Sequence, residues 1–75
     1  MQNPNIEYDS ELDALSIAEF CRRNSISVSG FYQMKREGWG PDVFYVGKRQ
    51  LVSREAGERW RRDREQIAKQ SALAE

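Results

Sequence analysis

Five side chains in one short stretch, Val28, Ser29, Tyr32, Gln33 and Arg36, carry the donors, acceptors and apolar surface with which proteins read the edges of nucleic-acid bases. Advancing about 100° per residue from Phe31 gathers these five on one side of a helix and places Met34 and Lys35 beside Phe31 on the other. Met34 and Lys35 are expected to pack inward, with the lysine amine snorkelling to water. Arg36 can bond guanine edges or phosphate, Gln33 can pair bidentately with adenine, and Ser29 and Tyr32 can hydrogen-bond phosphate oxygens. The same polar face is also compatible with simple solvation, and Tyr32 with partial burial in a core.

A second group is purely electrostatic. Lys48 and Arg49 follow Gly47 at what reads as a hairpin tip, where they are held off the core as a wing able to enter a minor groove or lie along a phosphate strand. They are compatible with ordinary turn residues too, but their company argues for contact. Arg22 and Arg23 can meet the backbone from a preceding helix, with Ser27 at the start of the next. Net charge is zero but unevenly placed: Glu7, Asp9, Glu11 and Asp13 stand among residues 1–13 without a base, whereas Phe20 to Arg64 holds eleven basic and five acidic residues. The folded part is therefore basic, which suits a polyanion.

Catalysis has little to stand on. The 75-residue chain has no histidine and one cysteine, so neither the usual Cys/His zinc site nor an internal disulfide can form. Its carboxylates fall on solvated faces, and a chain this short builds no deep water-excluding pocket. The expectation is a non-enzyme with no cofactor, no metal and no small-molecule substrate. Cys21 reads as a small buried hydrophobe. No apolar run long enough to span a membrane and no leader sequence is visible, so the chain is expected to be soluble and cytoplasmic.

The elements that must position these groups have clear signals. Ser16 is a good N-cap with Glu19 three residues on, as in a capping box, and Leu15 and Phe20 occupy the staple positions, so a helix is expected to start at Ile17 and end near Asn24. A tight turn leads to Ser27, the cap of a second helix that runs to about Glu37, where Gly38 stops it. Val43–Val46 and Gln50–Val52 around Gly47-Lys48-Arg49 read as a small β-hairpin. Ser53 caps a third helix in which Ala56 and Trp60 share a face, and the apolar stripe thins beyond it. Phe20, Phe31 and Trp60 fall on apolar stripes as packing residues; Trp39, between two glycines, either plugs the base of the hairpin or contacts a partner. The expected fold class is mainly α with a small β-hairpin, a winged helix-turn-helix of order α-turn-α-hairpin-α. It divides into an acidic tail over 1–14, the folded domain over 15–62 and a helical extension or tail over 63–75.

The run Ser16-Ile17-Ala18-Glu19-Phe20-Cys21, then Ser25 to Tyr32, then Gly47-Lys48-Arg49 and Ser53-Arg54-Glu55-Ala56, resembles the MerR-like winged helix-turn-helix domains of excisionases and AlpA-type regulators. The resemblance covers about residues 15–62. It departs at Val28, where such proteins often carry a base, and at Gly30, where they often carry Thr or Ser. It implies that the second helix enters a major groove through Val28, Ser29, Tyr32, Gln33 and Arg36, and that Lys48 and Arg49 reach the neighbouring minor groove. It also implies a recombination directionality factor, an architectural protein that binds repeated double-stranded DNA sites, self-associates along them and helps an integrase excise a mobile element. An AlpA-like transcriptional regulator has the same signature. A protein-interaction antiactivator, whose acidic segment imitates nucleic acid, is a third reading, and a terminase small subunit a fourth.

Overall fold

A computed structural model describes residues 12–74, so most of the expected acidic tail, Glu7, Asp9 and Glu11 included, lies outside the described residues. The element order is β1 (Ala14–Ser16), α1 (Ile17–Arg23), α2 (Val28–Glu37), β2 (Phe44–Val46), β3 (Arg49–Ser53) and α3 (Arg54–Ala74). Three helices and one small antiparallel sheet make a mainly helical fold.

Local chemistry explains each helix end. Ser16 Oγ accepts the Glu19 amide at 3.1 Å, which starts α1 at Ile17. The helix closes on Asn24, whose side-chain amide donates to the Phe20 carbonyl at 2.8 Å, and Ser25 then turns through positive φ so that the Ile26 amide returns to the Cys21 carbonyl at 3.0 Å. Ser27 Oγ accepts the Gly30 amide at 2.9 Å and opens α2. At the far end Gly38 is left-handed at φ 86°; its amide donates to the Lys35 carbonyl and that of Trp39 to the Met34 carbonyl, the double bond of a Schellman motif.

The sheet holds three strands, not the two of a bare hairpin, in the order β1-β3-β2. The added strand is β1, whose Ala14, Leu15 and Ser16 face Ser53, Val52 and Leu51. Three residues are too short to show an alternating pattern, and the pairing comes from a segment far along the chain. The Arg54 amide extends it by donating to the Asp13 carbonyl at 2.7 Å. Between β2 and β3 the turn is tighter than expected, because Val46 pairs with Arg49 and leaves only Gly47 and Lys48 in the loop. Positive φ at Gly47 alone fits the two-residue turns that match strand twist, and it moves Arg49 from the tip into β3.

Ile17, Phe20, Cys21, Phe31, Met34, Val52 and Ala56 are buried, with Leu15, Ile26, Tyr32, Val43 and Trp60 packed around them. Phe20 meets Phe31 edge-on at 6.0 Å and Trp60 edge-on at 5.6 Å, so one ring joins all three helices. Gly57 permits this approach, since a Cβ there would stand 3.3 Å from Phe20 Cε1. Beyond Trp60 the helix does not stop: α3 continues unbroken to Ala74, with its later turns exposed. Cys21 is buried, and that burial pushes its thiol pKa up.

Phe31→Ala should cost about 3–5 kcal/mol, enough to unfold much of a domain this small, whereas Ile67→Ala on exposed α3 should change stability by less than about 0.5 kcal/mol. Urea denaturation followed by circular dichroism checks both; similar losses at the two positions would show that α3 is bound into the core along its length.

Candidate nucleic-acid interface

α2 presents the expected face to solvent. Val28 is 45% exposed, and Ser29, Gln33 and Arg36 are exposed beside it. Tyr32 is half-buried, its ring edge-on to Phe31 at 5.3 Å and its hydroxyl at the rim. Ser27 is exposed and serves chiefly as the cap, its hydroxyl 3.3 Å from that of Ser29.

The hairpin lies against the flank of this face. Lys35 Nζ donates to Gln50 Oε1 at 2.8 Å, Gln50 Nε2 donates to the Tyr32 hydroxyl at 3.4 Å, and the lysine ammonium sits 5.9 Å from the centre of the Tyr45 ring. Lys35 is therefore exposed and bridges α2 to the sheet, not packed inward as the helical projection suggested. The reason is the hairpin itself: Tyr45 and Gln50 pair across β2 and β3 and offer an acceptor and a ring face to the amine. Lys35, Tyr45 and Gln50 are positioning residues that the sequence did not reveal, since only the folded register brings positions 35 and 50 together.

Arg36, Lys48 and Arg49 are exposed and make no hydrogen bond or ion pair among the described residues. Arg22 and Arg23 are differently placed. The Glu19 carboxylate accepts Arg22 Nε at 3.0 Å and Arg23 Nε at 2.8 Å, so the acid expected to complete a capping box clasps two arginines instead. The hydrogen bond from Arg22 holds the Glu19 carboxyl below its ordinary pKa, with that guanidinium's charge adding to the effect and desolvation opposing it. Glu19 thus cancels part of the charge that α1 would offer a phosphate.

Glu37 is a further group that the sequence reading passed over, although its spacing four residues after Gln33 is a legible signal. Its carboxylate accepts the Trp39 indole N–H at 2.7 Å and the Gln33 amide at 3.2 Å. These bonds, the indole's first, lower its pKa, aided by the charge of Arg36 and opposed by desolvation. The Gln33 amide keeps its second N–H and its carbonyl oxygen beyond this bond to Glu37. Trp39 stands between the two roles expected for it: partly exposed, it accepts the Trp60 indole N–H on its carbonyl at 2.9 Å and lies 4.7 Å beneath the Arg64 guanidinium.

Among the described residues no cluster of His, Cys, Asp or Glu is placed to hold a metal ion, and no helix is long and apolar enough to cross a membrane. No family model, curated protein or solved structure matches the chain.

The Glu19 clasp carries a pH signature. Because its folded pKa is depressed, its contribution is present above the unfolded value, about 4.3, and is lost as pH falls through the lower folded value. The stability gap between the parent chain and Glu19→Gln should be widest near neutrality and close in strong acid. Urea midpoints measured along that pH range check it, and a gap that stays constant into strong acid rules the clasp out as its source.

Proposed function

We propose that the chain is a sequence-specific architectural protein for double-stranded DNA, a recombination directionality factor that assists integrase-mediated excision of a mobile element. In this reading α1, the turn and α2 with the β2–β3 hairpin act as a winged helix-turn-helix. α2 enters a major groove through Val28, Ser29, Tyr32, Gln33 and Arg36, and Lys48 and Arg49 follow the adjoining backbone or minor groove. The observation that carries the proposal is the Lys35–Gln50–Tyr32 bridge, which sets the hairpin bearing Lys48 and Arg49 beside the α2 that exposes Val28, Ser29, Gln33 and Arg36. Phosphate contacts from such groups supply affinity and register, while the mixed polar and apolar face of α2 supplies base discrimination. The absence of histidine from the sequence and the exposed disposition of most carboxylates among the described residues favour positioning of DNA over chemistry upon it. Excision then follows from several copies seated side by side at repeated sites, bending the duplex into the shape an integrase requires.

Footprinting across the attachment region of the protein's own element should show protected repeats, and a circular-permutation assay should show a bend. Removing Lys48 or Arg49 should weaken binding to all sequences alike and lower the salt slope by about one for each phosphate no longer neutralised. Arg36→Ala should cost about 1–3 kcal/mol and relax base preference, whereas Arg22→Ala, already clasped by Glu19, should matter least. No binding to duplex DNA at any salt concentration would remove the proposal altogether.

A further inference from the structure

We propose that Lys35 and the hydroxyls of Tyr32 and Tyr45 form a phosphate site for the sugar-phosphate strand of duplex DNA, with Gln50 holding the lysine in place, an assignment that rests on α2 and the hairpin being the DNA face. Duplex geometry puts a phosphate strand at their junction. A major groove and the minor groove beside it are separated by a single sugar-phosphate strand. A helix in the first and a hairpin tip in the second straddle that strand, so the groups that join the two elements face it.

Here the joining groups are hydrogen-bond donors. Lys35 Nζ donates one of its three N–H groups to Gln50 Oε1 at 2.8 Å, and Gln50 Nε2 donates to the Tyr32 hydroxyl at 3.4 Å. Two ammonium N–H groups and the Tyr32 O–H remain without an acceptor among the described residues. Tyr45 pairs with Gln50 across β2 and β3, which puts its ring on the same face of the sheet, with the lysine nitrogen 5.9 Å from its centre. Tyr45 is 59% exposed, and its hydroxyl has no hydrogen-bond partner among the described residues.

The lysine's charge is also unspent. Lys35 is exposed, and no carboxylate pairs with it among the described residues, unlike Arg22, Arg23, Arg54 and Arg59. Fixing a freely rotating surface lysine on an anion costs side-chain entropy. Gln50 and the Tyr45 ring already restrain this one, so less of that entropy is lost when a phosphate arrives. An ammonium is a compact point charge with no acceptor, suited to phosphate and indifferent to base identity. The site therefore supplies affinity and register at the junction, while sequence preference stays with the face of α2. A purely structural bridge has no need of the charge, since a neutral donor to Gln50 would tie the hairpin to α2 as well.

Titration of the full chain against duplex DNA at several salt concentrations tests the site, under conditions where urea denaturation shows every variant folded. Lys35→Met, which keeps the aliphatic chain and loses the ammonium, should weaken binding to every duplex about tenfold and lower the salt slope by about one. Lys35→Arg should keep the parent's slope. Gln50→Ala and Tyr45→Phe should each weaken binding severalfold with the slope unchanged, because the charge remains. Lys69→Met removes a lysine that is also exposed, far along α3, and should alter neither quantity. A Lys35→Met variant with the parent's slope, or a Lys69→Met variant that loses as much as Lys35→Met, overturns the phosphate site while the DNA reading stands. A parent chain that binds no duplex at any salt concentration overturns both.

Discussion

Phe20 is the contact on which the rest of the structure depends. Its ring sits in α1, edge-on to Phe31 in α2 and to Trp60 in α3, and beneath it Gly57 lets α3 come close. Seven buried side chains form the core among the described residues, so no second cluster holds the helices if this junction loosens. The face of α2 and the hairpin take their mutual position from it, since Phe31 fixes the rotation of α2 and Val52 in the same core fixes β3. The polar bridge from Lys35 to Gln50 then sets the hairpin against a helix whose orientation the aromatic rings have already decided.

Charge in this molecule is sorted by what holds it. Arg22, Arg23, Arg54 and Arg59 pair with carboxylates, and Lys35 and Arg64 lie over aromatic rings. Arg36, Lys48, Arg49, Arg61, Arg62 and Lys69 are exposed and have no ion pair or ring contact among the described residues. Exposed pairs contribute little to stability, but they withdraw charge from use elsewhere. A count of basic residues therefore overstates what α1 offers a polyanion, while unpaired cations stand on α2, on the hairpin and along exposed α3 alike. Glu37 places an anion beside Gln33 at the end of α2.

How much was legible follows the range of the interactions. The starts of α1, α2 and α3 were readable because Ser16, Ser27 and Ser53 each cap a helix through an amide three residues on. Gly38 and Gly47 marked the stop and the turn because both adopt the positive φ that glycine accepts without strain. The composition of the α2 face was readable from its helical period. β1 was not, for its partner lies far along the chain and three residues carry no period. The helical projection also misplaced Lys35, because the wheel knows only its own helix and the deciding acceptor belongs to Gln50. Glu19 shows the limit of a local motif: the spacing of a capping box was present, yet two neighbouring arginines were stronger partners for the acid than a backbone amide.

The glycine at 57 has a consequence for the distant end of the molecule. The ring of Phe20 touches α3 in its first turns, Trp60 and Arg64 hold the next two against Trp39, and from there the helix extends about 15 Å to Ala74 with no further core to anchor it. The contact is thus a fulcrum near one end of a long rod. A methyl group inserted there, displacing the helix by a few tenths of an ångström, would swing its tip by several times as much. Whatever meets that tip would feel a change made deep beside the aromatic junction, so one small residue shares with Trp60 and Arg64 the setting of the rod's bearing.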